Sequence, residues 1–166
     1  MVIIGILVIA LILIFFVFVF VIIFGAPYVP TLKAQRQTAL DLLDLKKGQT
    51  LYELGSGDGS LLIDAAERGL KAIGWELNPF LVLIARWRAR RYPGQIKVVW
   101  GNFWSADFAK ADGVFVFQMD RSMKRLEAKI KKDAPDRKIK IASHAFQIPG
   151  KKPLKKQNAV LLYLLP

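Results

Sequence analysis

An unbroken apolar run opens the sequence: the first 24 residues, MVIIGILVIALILIFFVFVFVIIF, contain no charged or polar side chain. As a helix rising about 1.5 Å per residue, they would extend roughly 36 Å, enough to cross a hydrocarbon core about 30 Å thick. A single span in lipid satisfies its backbone hydrogen bonds internally, so the β-branched and aromatic residues do not count against a helix. A signal peptide would need a basic start, a shorter apolar run and a small-residue cleavage site, and a buried core helix would be shorter. We therefore predict a transmembrane anchor over residues 1–24.

Positive charge follows this run and favours an anionic partner. The sequence carries 25 Lys and Arg against 13 Asp and Glu, a net charge of +12, which suits phospholipid headgroups or nucleic acid. The basic residues nearest to the run all follow it: Lys33, Arg36, Lys46 and Lys47. The positive-inside tendency then predicts a single-pass protein of the cell's inner (plasma) membrane, with a domain over residues 32–166 in the cytoplasm. Residues 25–31, GAPYVPT, are predicted to be the linker.

Cysteine is absent, and His144 is the single histidine. Disulfides, thiolate metal sites and a cysteine nucleophile are therefore excluded, and histidine-rich metal sites and most catalytic triads lack their parts. We expect no metal site, and a chemistry that depends on other groups.

Beyond the linker, helical and strand patterns alternate. After a leading helix near residues 32–45, strands are predicted over 50–54, 71–77, 96–101, 113–118, 138–146 and 159–165, with helices over 60–68, 79–91 and 122–132. Asn78 is predicted to cap the helix that begins at Pro79. This alternation predicts one α/β domain whose open, mostly parallel sheet is covered by helices on both faces.

The first predicted strand leads into a glycine-rich turn, YELGSGDGS, over residues 52–60. Gly55, Gly57 and Gly59 lack Cβ atoms, so the turn can adopt positive φ and let a ligand lie against its backbone at the carboxyl end of the strand. The spacing E-x-G-x-G-x-G differs from the dinucleotide fingerprint, and Glu53 and Asp58 bring negative charge where a pyrophosphate would bind. A ligand with positive charge fits better, and a tight turn without a ligand is the simpler alternative.

Two further strand ends carry candidate binding groups. Glu76 ends the second strand, where a carboxylate would accept both hydroxyls of a ribose. Asn102 and Phe103 follow the third strand and offer an amide for an adenine edge beside a ring that can stack on it. The alternative that Phe103, Trp100 and Trp104 are ordinary core aromatics stays open.

At this point several stretches resemble one enzyme family. YELGSGDGSLLIDAA, AIGWELNPFLVLIAR, GNFW with ADGVFVFQM, and the lead-in YVPT resemble the class I S-adenosylmethionine-dependent methyltransferases. More narrowly, they resemble small membrane-anchored lysine methyltransferases related to those acting on the ATP synthase c subunit and the adenine nucleotide translocase. The resemblance covers about residues 27–165 and implies a Rossmann-like sheet whose last strand is antiparallel. The C-terminal region is expected to be shortened, too short for the usual final pair of strands.

The resemblance also implies S-adenosylmethionine as the cofactor. Its methionine portion would lie against Glu53 and the glycine turn, its ribose at the end of the second strand and its adenine at the end of the third, where Asn102 stands in place of the Asp of many methyltransferases. The implied cofactor-binding residues are Glu53, Gly55, Ser56, Gly57, Asp58, Gly59, Glu76, Leu77, Asn102 and Phe103. The segments QMDRSM and SHAFQIPG would border the acceptor pocket, with Tyr28, Gln118, His144 and Phe146 as candidates for lining it. No residue is assigned a catalytic role, and His144 fits a structural histidine better than a proton acceptor.

The expected function is methyl transfer from S-adenosylmethionine to a lysine of a membrane protein by a monomeric enzyme. A methyltransferase acting on RNA, lipid or another small acceptor is the first alternative, because arginines crowd the helix after Asn78 and a basic run covers residues 124–140. The fourth strand, however, ends without the Asn/Asp-Pro-Pro-aromatic motif of enzymes that methylate base amines. A membrane protein that binds the cofactor without catalysis is the second alternative.

Overall fold

The computed structural model describes residues 2–24, 29–118 and 120–166. The first of these ranges is helix α1 (Val2–Phe24). Its segment Val2–Val19 has a mean hydropathy of 3.6 and none of it is buried. Length and composition thus allow α1 to cross a membrane, although a signal sequence would pass the same test. Of the predicted linker, residues 25–28, including Tyr28, lie outside the described residues, as does Met119.

Helices and strands alternate through the rest of the described chain as far as His144, and two further strands follow. They are α2 (Lys33–Leu43), β1 (Thr50–Leu54), α3 (Ser60–Glu67), β2 (Lys71–Glu76), α4 (Pro79–Ala89), β3 (Ile96–Trp100), β4 (Gly113–Val116), α5 (Asp120–Asp133), β5 (Ile139–His144), β6 (Lys155–Gln157) and β7 (Val160–Leu165). Two short 3₁₀ helices, Phe103–Ser105 and Phe108–Lys110, connect β3 to β4. Asn78 caps α4 as predicted, since its side chain accepts hydrogen bonds from the backbone N–H groups of Phe80 and Leu81.

The strands form one seven-stranded sheet in the order β3-β2-β1-β4-β5-β7-β6. Strands β1 to β5 pair in parallel, and β7 pairs antiparallel with both β5 and β6. The predicted Rossmann-like, mostly parallel sheet with an antiparallel last strand is therefore confirmed.

The expected shortening at the C-terminus needs one correction, because the final pair of strands is present. The shortening is limited to β6, which has three residues, Lys155–Gln157, all exposed. This strand was not predicted from the sequence because it has no alternation of apolar and polar side chains. Asn158 and Ala159 join β6 to β7 as a two-residue turn, with φ of 48° and 61°.

Two hydrophobic cores cover the two faces of the sheet. Helices α2, α3 and α4 pack on one face, and α5 and the 3₁₀ helices pack on the other. Along β1, Leu51 belongs to the first core, whereas Tyr52 and Leu54 belong to the second. By the same alternation Glu53 points to the face of α2, α3 and α4. Burial of both faces explains why the parallel strands read as nearly continuous apolar runs.

The turn after β1 lies on β2 at Gly74, where the absence of a side chain makes room for it. A Cβ atom at this position would lie 2.5 Å from the Cβ atom of Ser56 and 2.7 Å from both Ser56 Oγ and Leu62 Cδ1. The backbone N–H groups of Gly55 and Ser56 both donate to Trp75 O, at 2.9 Å each. Glycine in the middle of a strand is typical of such close approach.

We predict that Ala159→Gly stabilises the protein by about 1 kcal/mol. A two-residue hairpin turn with positive φ at both positions suits glycine, whereas alanine at a φ of 61° is strained by about that amount. Urea unfolding monitored by circular dichroism measures the change. As a matched control, the same substitution at Ala128, exposed within α5, should destabilise by about 1 kcal/mol. Equal effects of the two changes would contradict the assignment of this turn.

We also predict that Gly74→Ala destabilises the protein by about 1–3 kcal/mol, the usual range for an overpacked core. The added methyl group would overlap Ser56. Adding Ser56→Gly should therefore restore most of the lost stability, since the remaining close atom, Leu62 Cδ1, is the end of a flexible side chain. Urea midpoints of the two single variants and the double variant measure this recovery. A double variant no more stable than Gly74→Ala would show that this contact is not the cause.

Candidate functional site

The candidate site lies at the carboxyl ends of β1, β2 and β4. Strand β1 pairs with β2 on one side and with β4 on the other, so the order of the strands reverses here. In open parallel sheets, ligands bind outside the strand ends at such a point. The turn after β1 and the residues following β2, β3, β4 and β5 converge on this edge.

The glycine turn has the left-handed backbone that its sequence predicts. Gly55, Gly57 and Gly59 have φ of 86°, 52° and 76°. At Gly59 a Cβ atom would lie 3.0 Å from the Cβ atom of Ala85, so this glycine lets α3 approach α4. At Gly55 an added Cβ would have Gln118 Nε2 as its neighbour, 3.7 Å away. The first glycine thus exposes its backbone beneath a predicted residue of the acceptor pocket.

Glu76 fastens the glycine turn to the start of α4. One carboxylate oxygen accepts the backbone N–H of Gly57 at 2.9 Å, and the other accepts that of Asn78 at 2.7 Å. Two backbone donors fix the orientation of this half-buried carboxylate. Each oxygen keeps acceptor capacity for another hydroxyl group. The arrangement fits the predicted ribose contact.

Glu53 is a buried carboxylate with an uncompensated oxygen. Its residue is 6% exposed, and Glu53 Oε2 has no hydrogen-bond partner among the described residues. Burial raises the pKa of this carboxyl well above its ordinary value of 4.5, and the nearby Asp58 raises it further, whereas Arg36 acts in the opposite direction. An unpaired acidic group of this kind is costly unless a donor or cation meets it.

Asp58, predicted to contact the cofactor, has other partners. Its carboxylate accepts the backbone N–H and the hydroxyl of Ser60 at the start of α3, at 3.1 and 2.9 Å. It also forms an ion pair with Arg88 of α4. Through these contacts Asp58 joins α3 to α4, which the sequence alone did not reveal because Arg88 lies 30 residues away; its contact with the cofactor stays a prediction.

At the end of β3, the adenine candidates are arranged around a 3₁₀ turn. Asn102 caps this turn, and its Oδ1 accepts the backbone N–H of Trp104 at 3.1 Å. Phe103 is half-buried against the core, with its ring 4.7 Å from that of Trp104. Trp100 is 63% exposed and donates its indole N–H to the carbonyl of Leu77 at 3.1 Å. Phe103 and Trp104 therefore contribute to the core, and Trp100 does not.

An aromatic cluster occupies the ends of β4 and β5. The ring of Phe117 lies 4.4 Å from that of His144 and 5.9 Å from that of Phe146. Burial lowers the pKa of His144, which keeps its imidazole neutral at neutral pH, and its Nδ1 has no partner among the described residues. Between His144 and Phe146, Ala145 has a φ of 67°, a strained conformation for a residue other than glycine. Phe117 was not predicted from the sequence, although it directly precedes Gln118.

The described residues contain no group of three or more His, Cys, Asp or Glu side chains that could hold a metal ion. The polar groups at this edge are instead the carboxylates of Glu53 and Glu76, the amides of Asn102 and Gln118, and the backbone of the glycine turn. This set is suited to an organic ligand that carries hydroxyl groups and positive charge.

Comparison with known proteins identifies the family of this domain. The pattern of the ANTKMT methyltransferase domain matches residues 53–166, from Glu53 through the last strand. The human lysine N-methyltransferase of the ATP synthase c subunit is 35% identical over 112 residues, which are 66% of this chain and 48% of that protein. A protein-lysine N-methyltransferase of Saccharolobus islandicus is 30% identical over 131 residues, covering 76% of this chain and 81% of that protein.

A solved structure shows the same fold. The RNA methyltransferase from Salinibacter ruber in complex with S-adenosyl-L-homocysteine is 27% identical, with a TM-score of 0.75, and the match covers 82% of this chain and 92% of that one. The chain spans about half the length of the first curated relatives that it matches. The chain belongs to the ANTKMT methyltransferase domain family, within the S-adenosylmethionine-dependent methyltransferases of class I.

Proposed function

We propose that this protein transfers a methyl group from S-adenosylmethionine to a lysine side chain of a membrane protein. The observation that carries this proposal is the buried, uncompensated carboxylate of Glu53 beside a left-handed glycine turn and the oriented carboxylate of Glu76, within a family match that begins at Glu53. Curated relatives named as lysine methyltransferases of the ATP synthase c subunit and of the adenine nucleotide translocase support a lysine acceptor in a membrane protein.

The residues at the strand ends fit the cofactor. Glu53 would face the positively charged methionine portion, which would favour the ionised form of this buried carboxyl group. Glu76 would accept the ribose hydroxyls, and Asn102 with Phe103 would hold the adenine. The backbone of Gly55 and Gly57 leaves room for the ligand to lie against the turn.

The cofactor, when bound, supplies an activated methyl group, so the protein has to hold a neutral amine about 3–3.5 Å from it and in line. A lysine must lose its proton first, and an apolar environment lowers the pKa of an amine in the required direction. Phe117 and Phe146 provide such surroundings beside Gln118 and the turn. The neutral imidazole of His144 adds no positive charge against an incoming amine.

Helix α1 would anchor this enzyme close to its acceptor. Residues 25–32 separate α1 from α2, and at about 3.3 Å per residue they reach at most about 30 Å. A tether of this length raises the effective concentration of acceptors at the membrane surface. The basic residues after α1 support a cytoplasmic location of the domain in this proposal. Protection of the domain from protease added to intact cells is the corresponding measurement.

The experiment that tests the proposal follows methyl label from S-adenosylmethionine into membranes. We expect the full chain to label lysine in an integral membrane protein, and expect Glu76→Ala to remove the label because the ribose contact and the hold on Gly57 are both lost. Amino-acid analysis of the labelled product identifies the acceptor atom. Because the Salinibacter ruber neighbour is named an RNA methyltransferase, total RNA is tested in parallel. Label in RNA or lipid with none in protein lysine would overturn the proposed acceptor.

We predict that Glu53→Gln weakens S-adenosylmethionine binding at least about tenfold, the effect of one charge-assisted contact of about 1.4 kcal/mol. The same change should stabilise the ligand-free protein at neutral pH. The folded-state pKa of Glu53 is raised, so the folded wild type binds a proton more tightly than the unfolded chain. The free energy of unfolding of the wild type therefore falls as pH rises above 4.5. The stability difference in favour of the Gln variant grows over the same pH range and vanishes below pH 4.5.

Calorimetric titration and melting temperatures measured at several pH values check both effects. Glu67→Gln, on the exposed part of α3, is the matched control and should change neither cofactor affinity nor the pH dependence of stability. A Gln variant at position 53 that bound the cofactor like the wild type would remove Glu53 from the proposed site.

A further inference from the structure

Helix α4 carries apolar side chains on the face that points away from the core. Phe80, Leu83, Ile84 and Trp87 are 48%, 63%, 46% and 64% exposed. Their spacing, i, i+3, i+4 and i+7, places all four on one side of the helix. The opposite side packs on the sheet through residues such as Val82. A surface helix that is apolar on both sides needs a second apolar partner.

The edge strand β3 extends this surface. Trp100 lies on the same face of the sheet as α4, since it alternates with Val98 of that core. Its indole N–H is satisfied by the carbonyl of Leu77, just before α4, while 63% of the residue is exposed. We call Phe80, Leu83, Ile84, Trp87 and Trp100 the α4 stripe.

Positive charge lies at the C-terminal end of the α4 stripe. Arg90 and Arg91 are exposed, and neither forms an ion pair among the described residues. With Trp87, Arg88 and Tyr92, they line a cavity of about 380 Å³, whose remaining lining residues are Ile63 and Glu67. Glu67 is the acidic group there and accepts the hydroxyl of Tyr92. The cavity thus presents two free guanidinium groups beside an exposed indole.

We propose that the α4 stripe is a membrane-contact surface that inserts into the interfacial region of a bilayer containing anionic phospholipid. Tryptophan and phenylalanine favour the interfacial region, and arginine at its border reaches lipid phosphate groups. The net charge of +12 complements an anionic leaflet. Pairing of the stripe with a second copy about a twofold axis would bring Arg90 and Arg91 of both copies onto one interface, an unfavourable arrangement.

This contact would orient the domain as well as bind it. Phe80 and Trp100 lie at the carboxyl edge of the sheet, beside the Glu76 carboxylate that holds the start of α4. With the stripe on the lipid, this edge and its candidate site lie next to the membrane surface. The inference extends the membrane location proposed above and does not depend on which group accepts the methyl.

Tryptophan quenching by brominated lipid tests the contact in the full chain reconstituted into vesicles. The chain has four tryptophans: Trp87 and Trp100 in the stripe, Trp75 in the core, and Trp104 beneath Arg125 on the other face. We expect strong quenching in vesicles with anionic lipid. The double change Trp87→Phe and Trp100→Phe should abolish most of it, whereas Trp104→Phe, the matched control, should leave it intact.

A second pair of variants tests the charge. Arg90→Gln with Arg91→Gln should lower quenching in anionic vesicles to the level seen with zwitterionic lipid alone. Lys132→Gln with Lys138→Gln removes the same charge from exposed positions outside α4 and should leave quenching unchanged. Equal losses from both pairs would attribute the effect to net charge and overturn the role of this surface.

Two further outcomes would also overturn the proposal. Stripe tryptophans that are unquenched in anionic vesicles would show that they do not touch lipid. A blue-shifted Trp87 emission without lipid quenching, together with a dimer in detergent, would assign the stripe to a second copy. Flotation of the protein with vesicles in about 1 M salt, where surface charge is screened, reports separately on insertion of α1. Methylation of a soluble lysine peptide reports separately on the enzyme activity.

Discussion

The missing side chain at Gly74 is the constraint on which the candidate site depends. Because β2 has no Cβ atom there, Ser56 can lie directly on the strand, and Trp75 O can accept two successive N–H groups of the turn. The next residue along β2, Glu76, then meets Gly57 N and the start of α4. Strand β2 thus supplies the space at Gly74, the carbonyl acceptor of Trp75 and the carboxylate of Glu76, which together shape the turn after β1.

The site also maintains a buried acid at a cost in stability. Glu53 lies near the negatively charged side chains of Asp58 and Asp64, both of which raise its pKa. Each of these aspartates is paired with an arginine, Arg88 and Arg36 respectively, so α2 and α4 each contribute a compensating charge. Such an arrangement suits the cationic ligand proposed above, as expected where binding and stability compete.

Local patterns in the sequence predicted most of the fold. The cap at Asn78, the left-handed glycines and the apolar runs of the strands are each visible in neighbouring residues, and the structure agrees with all three. The missed features depend on contacts that local sequence patterns do not show. Strand β6 is a strand only because β7 pairs with it, and the ion pair of Asp58 with Arg88 joins two helices. From the sequence, the apolar residues of the α4 stripe cannot be distinguished from core residues. Their exposure depends on which side of the helix the sheet covers.

The two edges of the sheet affect the tendency of the protein to aggregate. At one edge, the guanidinium of Arg86 donates to Val98 O of β3 and so occupies an acceptor that another strand would use. At the other edge, β6 is three residues long and presents Lys155 and Lys156. Short, charged or covered edges resist pairing between chains. These edges let neighbouring copies of the protein meet at high concentration without joining their sheets into an aggregate.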